Sequence, residues 1–398
     1  INYVIINIHP KSAQSNMVNR PKALIATNTI GFMWFIMEDI DILHELGYDV
    51  TVAAGNQANE THTLNEIDRR GAHFKDIRCD YSSLFNRENL LCLRQYREWL
   101  KHERFELIIC HTTVLGLIAR IAAARQHRQG TKVIYFTHGI LANELSSNMK
   151  RTLLRVLETT ASRFCDAIIT INDDDYNEVL KWHVPHVYKV NGVGCDVAKY
   201  MNADVDRAEL RKSIGVSDSE IMVMMVGSIC SRKNHIVIAR ALSLLENCEK
   251  YHLVICGRAE PESPIVREIE SLSATHGFKL TFLGFRNDIE KLVHAADIGA
   301  IPSLREGLGM AGIQQLCAGV PMVGTAVQGI KEYIIPGRTG FTVANPHDAA
   351  AFAEAIKACS DPGFRNRVKN DCMAVAQEFS LEKSIRQRRE IYSTVVGR

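Results

Sequence analysis

The chain has 398 residues and a nearly balanced charge, with 47 Lys and Arg against 45 Asp and Glu. That balance gives no global signature of nucleic-acid binding, and an aromatic content of 7% is too low for a base-stacking platform. Eleven cysteines without any C-x-x-C spacing favour neither a disulfide framework nor a zinc site, and they indicate a reducing compartment. The length favours two domains over one.

The first segment of the chain is interpreted as an extension outside the fold. Residues 1–16 precede the first methionine, Met17, and lack the basic start and small-residue cleavage site of a signal peptide. No apolar run reaches membrane-spanning length, because His111 and Arg120 interrupt the longest candidate. These features predict a cytoplasmic protein.

From Lys22 onward, short β-rich runs alternate with amphipathic segments, which is typical of βαβ units and a parallel sheet. The pattern predicts an N-terminal domain over residues 17–205. Its predicted strands cover residues 23–26, 50–54, 107–111, 133–136 and 167–171, and its predicted helices cover residues 35–46, 88–101, 115–125 and 149–163.

A polar stretch from residue 191 to 217 interrupts the alternation, which then resumes in a second domain over residues 206–379. Its predicted strands cover residues 221–226, 253–256, 280–283, 298–301, 321–324 and 341–343. Residues 380–398 form a long basic helix that is expected to pack back across the domain boundary. The fold class is therefore α/β, with two facing, Rossmann-like, doubly wound parallel sheets and a ligand cleft at their carboxyl ends.

Glu306 lies between an apolar strand and the start of a glycine-rich helix, in the segment from Pro302 to Met310. Such a helix start points backbone N–H groups and a positive dipole end at an anion. Glu306 cannot bind that anion itself, but its carboxylate suits the hydroxyls of a sugar. For an isolated Glu-Gly pair, a strand-helix turn with a surface glutamate would be the first interpretation. In this context the segment predicts a site for a phosphorylated, polyhydroxylated ligand.

Arg232 and Lys233 follow the first strand of the second half and open a helix. They are expected to face the same cleft as Glu306, where two cations can neutralise a diphosphate without a metal. Taken alone, the segment fits a solvated basic turn almost as well.

Four further residues follow predicted strands. His138 closes a strand of the first domain and is expected to point into the cleft, although a lone histidine is more often structural. Gly31 follows the first strand and need only mark a turn. Phe285 and Arg286 follow a strand of the second domain, where a nucleotide base has room to lie, but Phe285 equally suits the core.

Three consecutive acids at 173–175 invite a metal-binding interpretation. They lie between a strand and a helix, so helix capping and dipole stabilisation explain them more simply.

The order and spacing of these motifs strongly resemble family 4 glycosyltransferases. The resemblance rests on Gly-x5-Lys at 227–233, Pro-Ser-x-x-Glu-Gly-x-Gly at 302–309, Cys-Ala-Gly-x-Pro at 317–321, and the segments 328–332 and 337–341. The segments 135–139, 169–176 and 233–235 are most similar to bacterial enzymes of capsule, exopolysaccharide and O-antigen assembly.

The resemblance implies a GT-B fold and metal-independent transfer from a nucleotide-sugar donor with retention of anomeric configuration. No cofactor or metal is expected, since the nucleotide sugar is a substrate. Glu306 would bind the donor sugar, Lys233 would grip the diphosphate, and His138 would contact sugar and phosphate. Backbone amides of a short segment would meet the phosphates, namely those of Gly309, Met310 and Ala311.

Two positions depart from the pattern of that family. Gln314 replaces the second glutamate of a pair separated by seven residues, and its amide can still exchange hydrogen bonds with ribose hydroxyls. Ser228 replaces an arginine, and Arg232 or Arg305 is a candidate for supplying the missing charge.

The sequence thus predicts transfer of a sugar, from a donor that is UDP-linked, to a lipid-linked saccharide in cell-surface polysaccharide synthesis. Basic residues at 94–104 and 150–155 suit contact with anionic lipid at the inner face of the cytoplasmic membrane, or simply form solvated helix faces. Two alternatives stay open: a non-hydrolysing nucleotide-sugar 2-epimerase of the same fold, and a catalytically silent nucleotide-sugar-binding subunit.

Overall fold

The computed structural model describes residues 20–80, 86–140 and 148–398. The described residues form two sheets in which every pair of neighbouring strands is parallel. The first sheet has the order β3-β2-β1-β4-β5-β6-β7 and the second has the order β10-β9-β8-β11-β12-β13. The strands are β1 (Lys22–Thr29), β2 (Asp49–Gly55), β3 (His73–Asp76), β4 (Leu107–His111), β5 (Lys132–Phe136), β6 (Ala167–Thr170), β7 (His186–Lys189), β8 (Ile221–Val226), β9 (Tyr251–Cys256), β10 (Lys279–Gly284), β11 (Ile298–Ile301), β12 (Met322–Thr325) and β13 (Gly340–Val343).

Helices connect these strands. They are α1 (Glu38–Glu45), α2 (Thr61–Arg69), α3 (Arg87–His102), α4 (Thr113–Arg128), α5 (Asn148–Ala161), α6 (Asp173–Val179), α7 (Val197–Met201), α8 (Arg207–Ser213), α9 (His235–Ser243), α10 (Pro264–His276), α11 (Ile289–Leu292), α12 (Met310–Cys317), α13 (Ile330–Tyr333), α14 (Ala349–Ser360), α15 (Pro362–Gln377) and α16 (Leu381–Val396). None of the helices in this part of the chain combines the length and the apolar composition needed to cross a membrane.

The central strands are continuous apolar runs because helices cover both faces of a parallel sheet. In β4 every residue is buried, and β9 is buried along its whole length. The expected fold class, two doubly wound parallel sheets, is therefore confirmed. The predicted domain division at 205/206 falls between β7 and β8 and stays a prediction, and the interpretation of residues 1–16 lies outside the described residues.

The sequence patterns missed two strands, β3 and β7, because these lie at the edges of the first sheet, where most side chains are at least partly exposed. The helix expected from residue 35 begins instead at Glu38, since Ile30–Phe35 forms a 3₁₀ helix directly after β1.

The last helix, α16, leaves the second half of the chain and packs against α1 of the first. Two backbone hydrogen bonds connect Cys195 of the first half with the segment that leads into α16. The Cys195 N–H donates to the Phe379 carbonyl at 2.9 Å, and the Leu381 N–H donates to the Cys195 carbonyl at 2.8 Å. Ser384 of α16 donates to the Gly192 carbonyl at 2.8 Å. The two halves are thus joined by hydrogen bonds as well as by the chain.

Candidate active site between the two sheets

Glu306 lies at the carboxyl end of β11, and a single oxygen of its carboxylate receives three hydrogen bonds. Oε1 accepts from Lys233 Nζ at 2.5 Å, from Ser303 Oγ at 3.0 Å and from Arg232 Nη1 at 3.1 Å. Among the described residues, nothing donates to Oε2, which is not a buried atom. The carboxylate is therefore fixed at one oxygen and open to a ligand at the other.

The strand β8 and the turn after it position the two cations. Gly227, with φ of 141°, directly follows β8, and a Cβ there would lie 3.3 Å from Lys233 Cε, so the lysine stem folds over this glycine. Asn234, in the left-handed region at φ 55°, donates to the Pro302 carbonyl at 3.1 Å. The predicted convergence of Arg232 and Lys233 on the Glu306 segment is what the structure shows.

The start of α12 presents backbone N–H groups beside this cluster. Gly309 has φ of 81° and precedes the helix, whose first backbone hydrogen bond runs from the Gly312 N–H to the Gly309 carbonyl at 2.9 Å. The amides of Gly309, Met310 and Ala311 come before that bond and so lack an intrahelical partner. Tyr333 donates to the Gly309 carbonyl at 3.0 Å and fixes the turn.

His138 belongs to the first half of the chain but touches the Glu306 segment. A Cβ on Gly307 would lie 2.1 Å from the His138 carbonyl oxygen, so only glycine permits this approach. Asn172 donates to the Gly307 carbonyl at 2.8 Å across the same boundary. The segments that contain His138 and Glu306, 168 positions apart in the chain, are therefore in direct contact.

Gly31 lies in the 3₁₀ helix after β1, where a Cβ would meet Glu60 Oε1 at 2.7 Å. The neighbouring Phe32 places its ring edge-on to the His138 imidazole, with 4.7 Å between ring centroids. The Gly31 turn thus borders the site through Phe32.

Three predicted donor-binding residues lie nearby without joining this hydrogen-bonded cluster. Phe285 is exposed, which rules out the core alternative, and Arg258 stacks over its ring at 4.7 Å. Arg286 pairs with both oxygens of Asp288, at 2.8 and 2.6 Å. Gln314, on α12, is half-buried, and its side chain forms no hydrogen bond with any described residue.

The acids at 173–175 point to three different partners. Asp173 accepts from Lys189 at 2.7 Å, Asp174 accepts from Lys331 at 2.7 Å, and Asp175 accepts from the Ile140 N–H at 3.1 Å. The capping residue of α6 is Asn172, whose side chain accepts from the Asp175 N–H. Among the described residues, no group of three or more His, Cys, Asp or Glu side chains is arranged to hold a metal ion.

A buried polar cluster behind His138 was missed by sequence reasoning. His111, at the end of β4, lies with Nδ1 3.1 Å from His138 Nε2, and its Nε2 lies 3.4 Å from Asp39 Oδ2. Arg388 and Tyr392 of α16 donate to Asp39 Oδ1 at 2.8 and 3.0 Å. One signal was available: His111 and His138 follow consecutive predicted strands.

The comparisons with known proteins agree with this geometry. Residues 40–197 match the family described as Glycosyltransferase Family 4, and residues 206–371 match Glycosyl transferases group 1. The putative glycosyltransferase EpsD of Bacillus subtilis (strain 168) is 29% identical over 368 residues, which cover 91% of each chain.

A second relative is more distant. The UDP-Gal:alpha-D-GlcNAc-diphosphoundecaprenol alpha-1,3-galactosyltransferase of Escherichia coli is 22% identical over 90% of this chain and 92% of its own. The crystal structure of Anabaena HepE in complex with UDP-glucose superimposes with a TM-score of 0.74 at 20% identity, over 94% of this chain and all of that chain. This protein belongs to the GT-B glycosyltransferases, with group 1 and family 4 domains, and is a transferase of that class.

Proposed function

We propose that this glycosyltransferase moves a sugar from a UDP-linked donor to a hydroxyl of a lipid-linked saccharide during cell-surface polysaccharide synthesis. The observation that carries the proposal is the Glu306 cluster, in which Lys233 and Arg232 converge on one carboxylate oxygen while the other stays open. A diphosphate and a sugar need that combination of charges, side by side.

In this proposal Glu306 Oε2 accepts hydrogen bonds from the donor sugar, and Lys233 and Arg232 turn towards the diphosphate. The amides of Gly309, Met310 and Ala311 complete the phosphate site with the dipole of α12. We assign the remaining donor contacts as the resemblance implies: Gln314 for the ribose, Phe285 and Arg286 for the base, and Gly31 for the side of the cleft next to the acceptor.

The chemistry depends on negative charge that develops on the leaving diphosphate. Fixed cations and backbone N–H groups stabilise that charge without reorganising, which is the largest contribution in many enzymes. We propose that no metal takes part, because Lys233 and Arg232, which both pair with Glu306, can neutralise a diphosphate themselves. Attack from the face that the diphosphate leaves, with a phosphate oxygen taking the acceptor proton, would retain the anomeric configuration.

Two relatives support the choice of donor and acceptor. The structure of HepE holds UDP-glucose, and the Escherichia coli relative is named for transfer of galactose from UDP-Gal to a GlcNAc-diphosphoundecaprenol. Such an acceptor would be embedded in the membrane by its polyprenyl chain.

We propose that the first half of the chain contacts the cytoplasmic face of that membrane through α5. Met149, Leu153 and Val156 are spaced by four and three residues on this helix and are all exposed, which is an apolar stripe. Basic residues at 94–101 lie on α3 and Arg104 follows it, and these could add attraction to anionic lipid, as could those at 151–155; the side chain of Lys150 lies outside the described residues.

The test is transfer of radiolabelled sugar from a panel of nucleotide sugars to a polyprenyl-diphosphate-GlcNAc acceptor, with and without a chelator. Transfer from one UDP-sugar that survives chelation is the expected result, with the α-anomeric product seen by NMR. Turnover that chelator abolishes and divalent ions restore would contradict the metal-independent proposal. Donor binding without transfer to any acceptor would favour the silent-subunit alternative, and donor conversion without acceptor would favour the epimerase.

A further inference from the structure

The buried cluster behind His138 is a series of polar contacts that runs from α16 to the candidate active site, with hydrogen bonds at both ends and a 3.4 Å approach between Asp39 and His111 in the middle. Asp39, His111 and Arg388 are each 0% exposed. Arg388 and Tyr392 occupy Asp39 Oδ1, which leaves Oδ2 to face His111. Asp39 Oδ2 and His111 Nε2 lie 3.4 Å apart, and neither atom forms a hydrogen bond with any other group in the described part of the chain.

The charge state of Asp39 fixes where the first proton lies. Burial raises the pKa of Asp39, while Arg388 and Tyr392 oppose that rise. A neutral Asp39 would leave the buried Arg388 guanidinium without a counter-charge, which costs more than a buried, paired carboxylate. Asp39 is therefore ionised and can only accept, so His111 Nε2 carries the proton that faces it.

The second proton follows from the first. Burial lowers the pKa of His111 well below its ordinary value and lowers that of His138 to about 3, so both rings are neutral. A neutral His111 with its proton on Nε2 has a bare Nδ1, which lies 3.1 Å from His138 Nε2. Two bare nitrogens would repel, so His138 Nε2 carries a proton and donates it.

The remaining ring nitrogen, His138 Nδ1, is then a hydrogen-bond acceptor. It has no partner among the described residues and is not a buried atom. The ring is held between Phe136, stacked at 4.7 Å, and Phe32, edge-on at 4.7 Å, so it cannot rotate freely to exchange its nitrogens.

We propose that Asp39 and His111 are positioning residues that lock His138 in the Nε2–H tautomer, so that Nδ1 accepts a hydrogen bond from a hydroxyl of the bound sugar. The proposal rests on the proposed function for the identity of the ligand, but not for the tautomer. Arg388 and Tyr392 connect this series of contacts to α16. The orientation of His138 therefore depends on how the C-terminal helix packs.

The direct test is the tautomer itself, read from long-range ¹⁵N–¹H correlations of histidine-labelled protein without any ligand. His138→Asn and His111→Asn identify the two rings. The expected result is a protonated Nε2 and a bare Nδ1 on His138. A protonated Nδ1 would overturn the proposal whatever the enzyme transfers, so this outcome is independent of the proposed function.

Asp39→Asn is the variant that should move the proton to the other nitrogen in both His111 and His138. To keep Oδ1 on Arg388 and Tyr392, the new amide must point its N–H₂ at His111 Nε2. His111 then takes the Nδ1–H tautomer and so does His138, which turns the acceptor facing the sugar into a donor. Transfer should fall by about 10- to 100-fold, the scale of one mispaired buried group. An unchanged His138 spectrum together with unchanged transfer would contradict the proposal.

A substrate swap separates this reversal from general damage. A deoxyfluoro donor sugar can accept but not donate a hydrogen bond at the substituted carbon. Donor sugars that carry fluorine in place of one hydroxyl are compared with the normal donor by their transfer rates. At one position of the sugar, the fluorine should lower transfer strongly in the wild type and only weakly in Asp39→Asn. Tyr392→Phe is the matched control, because it removes one donor from Asp39 without moving a histidine proton, and both its spectrum and its preference should follow the wild type. Equal discrimination by the wild type and Asp39→Asn at every position would mean that Nδ1 accepts from no hydroxyl of the sugar.

Discussion

The two charged clusters of this protein are built from similar groups but differ in burial. Around Glu306 the side chains of the carboxylate, Lys233 and Arg232 are 11%, 16% and 39% exposed, whereas Asp39 and Arg388 are wholly inaccessible. The first cluster has a free oxygen and solvent beside it, so its partners can be exchanged for a ligand. The second has no room for exchange and can only hold a fixed geometry. On the two proposals made above, similar ion pairs thus serve binding in one place and positioning in the other.

Arg388→Met should show the largest effect of this difference, on stability. Removing the guanidinium leaves the Asp39 carboxylate buried without its counter-charge, which typically costs about 3–5 kcal/mol in the free energy of unfolding. Arg232→Met removes an arginine from the exposed cluster and should cost less than about 1 kcal/mol. Urea unfolding of both variants measures the contrast. Adding Asp39→Asn to Arg388→Met should recover part of the lost free energy of unfolding. Equal losses in Arg388→Met and Arg232→Met would contradict the difference between the buried and the exposed cluster.

Lys233→Ala and Glu306→Gln should affect activity and not stability, in contrast to Arg388→Met. Both variants should unfold at near-native urea concentrations and transfer little sugar. Loss of one preorganised group that stabilises transition-state charge lowers kcat by about 10²- to 10³-fold. The controls are Arg240→Ala and Glu268→Gln, which remove an exposed ion pair elsewhere in the second half of the chain. Initial rates at saturating donor measure the effect. Transfer by Lys233→Ala at the wild-type rate would remove that lysine from the diphosphate site.

Acid should destabilise the protein through histidines whose burial keeps them neutral. The folded-state pKa of His138 is lowered by burial to about 3, and that of His235 to about 4. Below the unfolded value near 6.5, the unfolded chain therefore takes up protons that the native state does not, and stability falls as pH falls. Each such histidine contributes a slope of about 1.4 kcal/mol per pH unit. Urea unfolding between pH 6.5 and 5 measures the slope of the free energy of unfolding against pH. This slope should decrease by the contribution of one histidine in His138→Asn and by that of two histidines when His235→Asn is added. A slope that neither change reduces would contradict the neutral state of these rings.

The same difference explains what the sequence could and could not predict. Glu306, Lys233 and Gly309 each follow an apolar strand within a short motif, so their convergence could be expected from the way in which parallel strands end at one edge. Asp39 gives no such signal, because an acid in the first turn of a helix is ordinarily explained by the helix dipole. Arg388, in the run Arg386 to Arg389, is indistinguishable in sequence from its solvated neighbours. The contact between them joins positions 349 residues apart.

Gln314→Glu tests whether Gln314 belongs to the exposed cluster around Glu306. Gln314 follows the same strand on α12, but its side chain forms no hydrogen bond with any residue of that cluster. If Gln314 receives ribose hydroxyls, a carboxylate at this place should accept them more strongly, since a charged acceptor forms a hydrogen bond roughly twice as strong. The Kd for UDP should then decrease several-fold, up to about 10-fold, with kcat little changed. Gln129→Glu, which adds the same charge in the turn between α4 and the start of β5 in the first half of the chain, is the control. Titration of both variants with UDP by calorimetry separates the cases. Unaltered affinity in Gln314→Glu would place the ribose elsewhere, and weaker affinity would mean that the added charge lies against the phosphates.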